Sequence, residues 1–203
     1  RAVIVGAGNT KRWDAPGRSA FDQLQEAVIL ALEDCGLQLH DVDGLFCALS
    51  SSGLPTLNVA ERLGIRPRHA DGTMVGGASF LFQLQSAVAA LEAHLCDVAL
   101  ICYGSNQRSK AGKLVSGSRP SPYEAPYRPL APISSYALAA SRYRHLYGLT
   151  REQLGAVAIA AREWARLNPE AFMREPLTVE EYRAARMVSD PLNVRDCCLV
   201  TDG

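Results

Sequence analysis

The sequence predicts an α/β fold on a parallel sheet, and three observations carry that prediction. Short apolar strands alternate with helices of three-to-four periodicity, the helices open on capping residues, and glycines close them. The first run, Ala2-Val3-Ile4-Val5, is β-branched and ends at Gly6-Ala7-Gly8, which reads as a buried strand and a turn. Ser19 with Asp22 resembles a capping box. Phe21, Leu24, Val28, Ala31, Leu32 and Cys35 then recur at helical spacing until Gly36. A second strand is expected over 44–49, after the acidic turn through Asp41 and Asp43, and an apolar helical stretch over 57–63. A long helix follows Gly76-Gly77 to about Leu95, with Phe80, Leu84, Val88 and Leu91 on one face. It feeds a strand over 98–103.

Composition changes after Ser105. Between Ser105 and Leu130 stand five basic residues (Arg108, Lys110, Lys113, Arg119, Arg128) against one acidic residue, Glu124, and five of the eleven prolines fall between Pro120 and Pro132. Such a segment leaves the βα repeat. Helices resume over 134–147, stopped by Gly148, and over 150–167, where Thr150 and Gln153 form a second capping box. A shorter helix starts at Thr178 with Glu181, and Glu180 and Glu181 complement its dipole without a catalytic role. The run from Cys197 to Val200 reads as a strand whose exit is cut off. With an initial Arg and no Met, the chain is expected to be part of a longer polypeptide.

Composition narrows the function classes. The 203 residues are 48% hydrophobic and 21% charged, and 21 basic residues cancel 21 acidic ones. No net field therefore draws the chain to nucleic acid, and no apolar run reaches the length that spans a bilayer. The six cysteines include no C-x-x-C pair and the four histidines are scattered, so no metal site is expected. Cysteine is expected mostly as a small core residue, and the absence of a leader pattern points to the cytoplasm.

Two segments invite functional readings. Gly6-Ala7-Gly8 fails as a dinucleotide fingerprint: Lys11 stands where a third glycine belongs, and Trp13, Pro16 and Gly17 separate the turn from the helix. The segment Gly72-Thr73-Met74-Val75-Gly76-Gly77-Ala78-Ser79 places two glycines before a long helix, where free amides favour a developing negative charge. Met74 has no ionisable proton, and Ser79 has no identified base. A purely structural glycine turn accounts for these residues equally well. The basic, proline-rich segment with Tyr123, Tyr127 and Tyr136 suits either a phosphate-bearing ligand or a solvated loop.

The order of Val3-Ile4-Val5-Gly6, Asp41-Val42-Asp43-Gly44-Leu45, Gly76-Gly77-Ala78-Ser79, Tyr136-Ala137-Leu138, Glu152-Gln153-Leu154, Asn168-Pro169 and the closing 196–203 segment resembles the thiolase superfamily. The likeness is to its sterol-carrier-protein-like lipid-transfer branch. It implies a layered fold whose βαβαβαββ first half occupies 1–104 and 191–203, an inserted loop domain over 105–190, and a C-terminal half absent from this chain. It also implies a homodimer and a coenzyme A thioester as substrate with no covalent cofactor. Arg119, Tyr123, Tyr127 and Arg128 are then the candidates for binding coenzyme A.

One departure shapes the functional expectation. Condensing thiolases carry a cysteine on the turn before the long helix, and the position that matches here is Met74, within a loop completed by Gly76, Gly77 and Ser79. The resemblance then implies an acyltransferase-type or acetyl-CoA acetyltransferase homologue without acyl-cysteine chemistry. Such a protein acts on acyl-CoA by retro-aldol cleavage beside an OB-fold and zinc-ribbon partner, its acid-base groups lying outside this chain. A noncatalytic lipid-carrier or scaffold subunit is the alternative that Met74 leaves open.

Overall fold

The computed structural model describes residues 1–10, 13–49, 52–111 and 121–203. The chain divides into two units, Arg1–Leu114 with Val200–Gly203, and Val115–Leu199. In the first unit the helices are α1 (Ala20–Cys35), α2 (Pro55–Leu63), α3 (Ser79–Glu92) and the short α4 (Gln107–Ala111), and the strands are β1 (Gly44–Cys47), β2 (His69–Asp71) and β3 (Ala99–Cys102). The three strands make a parallel sheet in the order β2-β1-β3, with Gly44 opposite both His69 and Ala99. The α/β class and parallel sheet are as expected.

Local chemistry sets the helix ends. Ser19 accepts from the Asp22 amide while the Asp22 carboxylate accepts from the Ser19 amide, and Gly36 closes α1 in the left-handed region. One face of α1, through Leu24, Val28 and Leu32, packs in a cluster with Leu45, Cys47 and Leu49 of the β1 segment and Val59 and Leu63 of α2. Burying each such side chain stabilises by about 1.5–3 kcal/mol.

Asp43 sets the sheet's register. Its carboxylate accepts from the Asp97 and Val98 amides at 2.9 and 2.8 Å and pairs with Arg68, whose own amide donates to the Asp43 carbonyl at 2.7 Å. Burial opposes the charged form, yet the Val98 and Asp97 amides and Arg68 outweigh it and hold this carboxyl below its usual range.

Three features differ from the sequence expectation. Residues 2–5 form no strand: Val3, Ile4 and Val5 are exposed, and apolar character alone supplies no hydrogen-bonded neighbour. Gly6 and Gly8 instead press this segment onto α1. A Cβ on either would come within 2.3 Å of the Ala31 or Ala27 carbonyl oxygen. Residues 197–200 also form no strand. The Cys197 thiol turns back to the Asn193 carbonyl, and buried Asp202 accepts from the amides of Ala15, Arg108 and Ser109. Finally, strands over 69–71, 187–189 and 192–193 were not anticipated, because runs of two or three residues of mixed polarity carry no strand signal.

The second unit contains α5 (Ile133–Tyr147), α6 (Arg151–Leu167), α7 (Val179–Ala184) and an antiparallel hairpin of β4 (Met187–Ser189) and β5 (Leu192–Asn193). Thr150 with Gln153 and Thr178 with Glu181 complete the expected capping boxes. Tyr182 is buried with its ring against Gly155, where a Cβ would come within 2.7 Å. Its hydroxyl donates to Asp196 at 2.8 Å, and the Asn193 side chain donates to the Tyr182 carbonyl at 3.1 Å. Burial first, and then Asp196, push this phenol above its ordinary range.

Replacing Asp43 by Ala is expected to lower stability by about 2 kcal/mol, since hydrogen bonds to a charged group are worth about 1.5–3 kcal/mol. The folded-state carboxyl is depressed, so its contribution is complete above the unfolded value and fades as pH falls through the folded one. Urea unfolding of the parent and Asp43→Ala at neutral and acid pH measures both effects, and the difference must shrink in acid.

Candidate functional site

The turn between β2 and α3 is built from the strand end upward. Asp71 closes β2, and its Oδ1 accepts from the Thr73 amide at 2.9 Å and the Thr73 hydroxyl at 2.8 Å. Burial works against the charged form of Asp71. Bonds from Thr73 and from the Ser86 hydroxyl, with His69 nearby, prevail and keep this carboxyl below its ordinary range. The Thr73 carbonyl accepts from Gln83 Nε2 at 3.1 Å. Met74 follows and is half exposed, with 52% of its surface open.

Ser79 closes the turn. Its hydroxyl accepts from the Val75 amide at 3.0 Å and donates to the Gly76 carbonyl at 2.6 Å. Ser79 is wholly buried, so its oxygen is committed to the turn. Gly76 takes φ +78°, the left-handed region, whereas Gly77 does not, and both face open space. Helix α3 starts after Ala78 with no side-chain cap; its Ser79 and Leu81 amides donate to the Gly76 and Ala78 carbonyls, each at 3.1 Å, which leaves the Phe80 amide and the helix dipole at its start. The arrangement can polarise an oxygen held at the helix start. Its exposed apex, Met74, supplies no nucleophile.

The cysteines lie elsewhere. The carbonyl of Cys47 is near Gly72, and Cys102 stands opposite it on β3, both as free thiols. The neighbouring Cys47 thiol, together with burial, pushes Cys102 well above the usual thiol range. Cys96, outside any apolar run, is fully buried, and Cys198 is exposed. Among the described residues no three histidine, cysteine, aspartate or glutamate side chains gather as a metal site, and no helix is long and apolar enough to cross a membrane.

The first unit therefore brings Met74, Gly76, Gly77 and Ser79 together. In the second unit Tyr123, Tyr127 and Arg128 sit on and beside a 3-10 turn over Ala125–Tyr127, and the two tyrosines are 88% and 85% exposed. Arg119 lies outside the described residues. An apolar groove of about 680 Å³ runs along residues 2–10, α1, α3 and β3, shares no residue with the turn and has no charged side chain in its lining. The sequence reading missed Asp71, Thr73, Gln83 and Ser86. The last two are legible only as polar breaks at helical spacing in an otherwise apolar helix.

A parallel sheet with a glycine turn leading into a long helix places the first unit in the α/β class. The chain is 34% identical over 217 residues to the steroid side-chain-cleaving aldolase of Thermomonospora curvata, covering 100% of this chain and 54% of the relative. It is 33% identical to the 17-hydroxy-3-oxo-4-pregnene-20-carboxyl-CoA lyase of Mycobacterium tuberculosis, covering 100% and 55%. The acetyl-CoA acetyltransferase of Methanothermobacter thermautotrophicus is 29% identical, with 99% and 54% covered. The chain thus spans about half the length of the curated relatives it matches. Among solved structures, the Ltp2-ChsH2(DUF35) aldolase superposes with a TM-score of 0.84 at 31% identity, over 98% of this chain and 52% of that one. A monomeric SCP2-thiolase-like protein from Mycobacterium smegmatis shares the fold, with a TM-score of 0.70 at 23% identity, over 98% and 43%. No family model matches the chain. The chain belongs to the thiolase superfamily, and the matches named here fall among its SCP2-thiolase-like aldolases and its acetyl-CoA acetyltransferases.

The two glycines of the turn are expected to respond differently to alanine. Gly76→Ala should cost about 1–2 kcal/mol, the penalty of a side chain in the left-handed region. Gly77→Ala, free of positive φ and of neighbours, should change stability by less than about 0.5 kcal/mol. Thermal unfolding of both variants tests the turn geometry.

Proposed function

We propose that this chain supplies the first half of a thiolase-like CoA-thioester aldolase, with an inserted loop domain over 105–190, most of which falls in the unit Val115–Leu199. The observation that carries the reading is a thioether, Met74, at the exposed apex of the turn before α3. Condensing thiolases need a thiolate there. A retro-aldol step does not. A base takes the proton from the β-hydroxyl, the Cα–Cβ bond breaks, and Cβ becomes a carbonyl carbon. The bond's electron pair passes to Cα as a thioester enolate, which then takes up a proton. The start of α3 beside Gly76 and Gly77, through its dipole and the Phe80 amide, is suited to polarise the thioester oxygen. The names of the aldolase and carboxyl-CoA lyase relatives, at 33–34% identity over the whole chain, support the assignment.

Coenzyme A is the only group the proposal requires as a ligand. Tyr123 and Tyr127 offer exposed faces for stacking, Arg128 a guanidinium for phosphate, and Arg119 joins them by sequence position. A homodimer and a separate partner chain of OB-fold and zinc-ribbon type belong to the same reading. The solved Ltp2-ChsH2(DUF35) aldolase supports a partner chain. Six free cysteines suit the reducing cytoplasm.

Incubating the intact protein, with any partner chain it requires, with a panel of β-hydroxyacyl-CoA thioesters and separating the products tests this function. A carbonyl compound and a shortened acyl-CoA should form together. Loss of a covalent nucleophile costs about 10⁶-fold in turnover, whereas Met74→Ala is expected to cost less than about tenfold. Binding without bond cleavage across the panel would replace the aldolase by a lipid carrier.

A further inference from the structure

Helix α3 carries a feature that sheet packing does not explain. Its buried face is Ser79, Gln83, Ala87 and Ala90, while the larger apolar residues Leu81 and Phe82 are exposed, and the face expected through Phe80 and Leu84 lies one position away. Gln83 is wholly buried, and its Oε1 has no hydrogen-bond partner in the structure. A buried carboxamide half-satisfied in this way costs stability against an apolar side chain of the same size.

The cost has a counterpart in what this face holds. Ser79, Gln83 and Ser86 follow one another at spacings of four and three, so they line one side of the helix. Gln83 donates to the Thr73 carbonyl, Ser79 accepts from the Val75 amide and donates to the Gly76 carbonyl, and Ser86 stands near Asp71. Gln83 and Ser79 thus take hold of successive parts of the segment running from the end of β2 to Gly76, with Met74 between the two holds.

We propose that Gln83, together with Ser79, is a positioning residue that fixes the backbone around Met74 against the start of α3, where a negative charge is stabilised. This rests on the turn being the site where the thioester oxygen is polarised, as proposed above. Neither side chain touches substrate in this account. Both act by setting where the backbone amides of the turn point.

A thiol placed at the apex reports the local electrostatics without any substrate. In the intact protein, the rate of alkylation of Met74→Cys by iodoacetamide, followed against pH at residue 74 by mass spectrometry, gives the thiol's pKa. It should lie at least about one unit below 8.5, as thiols at helix starts do. Adding Gln83→Met or Ser79→Ala should return it to within about half a unit of 8.5. Gln23→Met is the control, because Gln23 is equally buried and unpartnered but lies on α1. It should leave the depressed value in place while changing the melting temperature as a core substitution does.

A depressed value that survives both Gln83→Met and Ser79→Ala overturns the positioning role and leaves the proposed site standing. An ordinary value in Met74→Cys alone overturns both. If Gln83→Met does not fold, Ser79→Ala, which deletes one oxygen, decides the matter.

Discussion

Asp43 decides where the sheet begins, and through the sheet where the glycine turn before α3 stands. Its carboxylate and backbone bond to Arg68, His69, Asp97 and Val98, the residues that lead into β2 and β3. A parallel sheet has no tight hairpin to fix its register, so this one residue does what a turn does in an antiparallel pair. With Gly44 opposite His69 and Ala99, Asp71 comes opposite Phe46, and the turn that follows emerges at the C-terminal end of the strands. In open parallel sheets that end is where ligands bind.

From that end the site is assembled by polar contacts more than by apolar packing. Asp71, Thr73, Ser79 and Gln83 define the path of the turn, and glycine at position 76 supplies the one backbone conformation another residue would resist. The result is a hydrogen-bonded frame around an exposed thioether that offers no nucleophile. A methionine at the apex is consistent with catalysis by polarisation and proton transfer, in which the protein contributes oriented dipoles and forms no covalent bond to substrate.

Much of this was legible in the sequence, and what was not has physical reasons. The caps Ser19, Thr150 and Thr178 announce their helices, because the same three-residue spacing that satisfies orphan amides can be read from the residue types. Strands β1 and β3 show as apolar runs bounded by turns. By contrast, β2 is His69-Ala70-Asp71, whose strand character comes from its neighbour β1, and Ala2–Val5 has strand composition without a ladder. The glycine turn was visible, as was Met74 within it. Gln83 and Ser86 were hidden by the expectation that a long helix buries its largest apolar residues, whereas α3 buries small and polar ones.

The central claim is that carbon–carbon cleavage proceeds with no acyl group attached to the protein. Intact-mass spectrometry of samples quenched during turnover of a β-hydroxyacyl-CoA tests it most directly. The account predicts a protein mass unchanged at every time point while shortened acyl-CoA accumulates. A transient mass increase equal to the acyl group, mapped to any of the six cysteines, would contradict it.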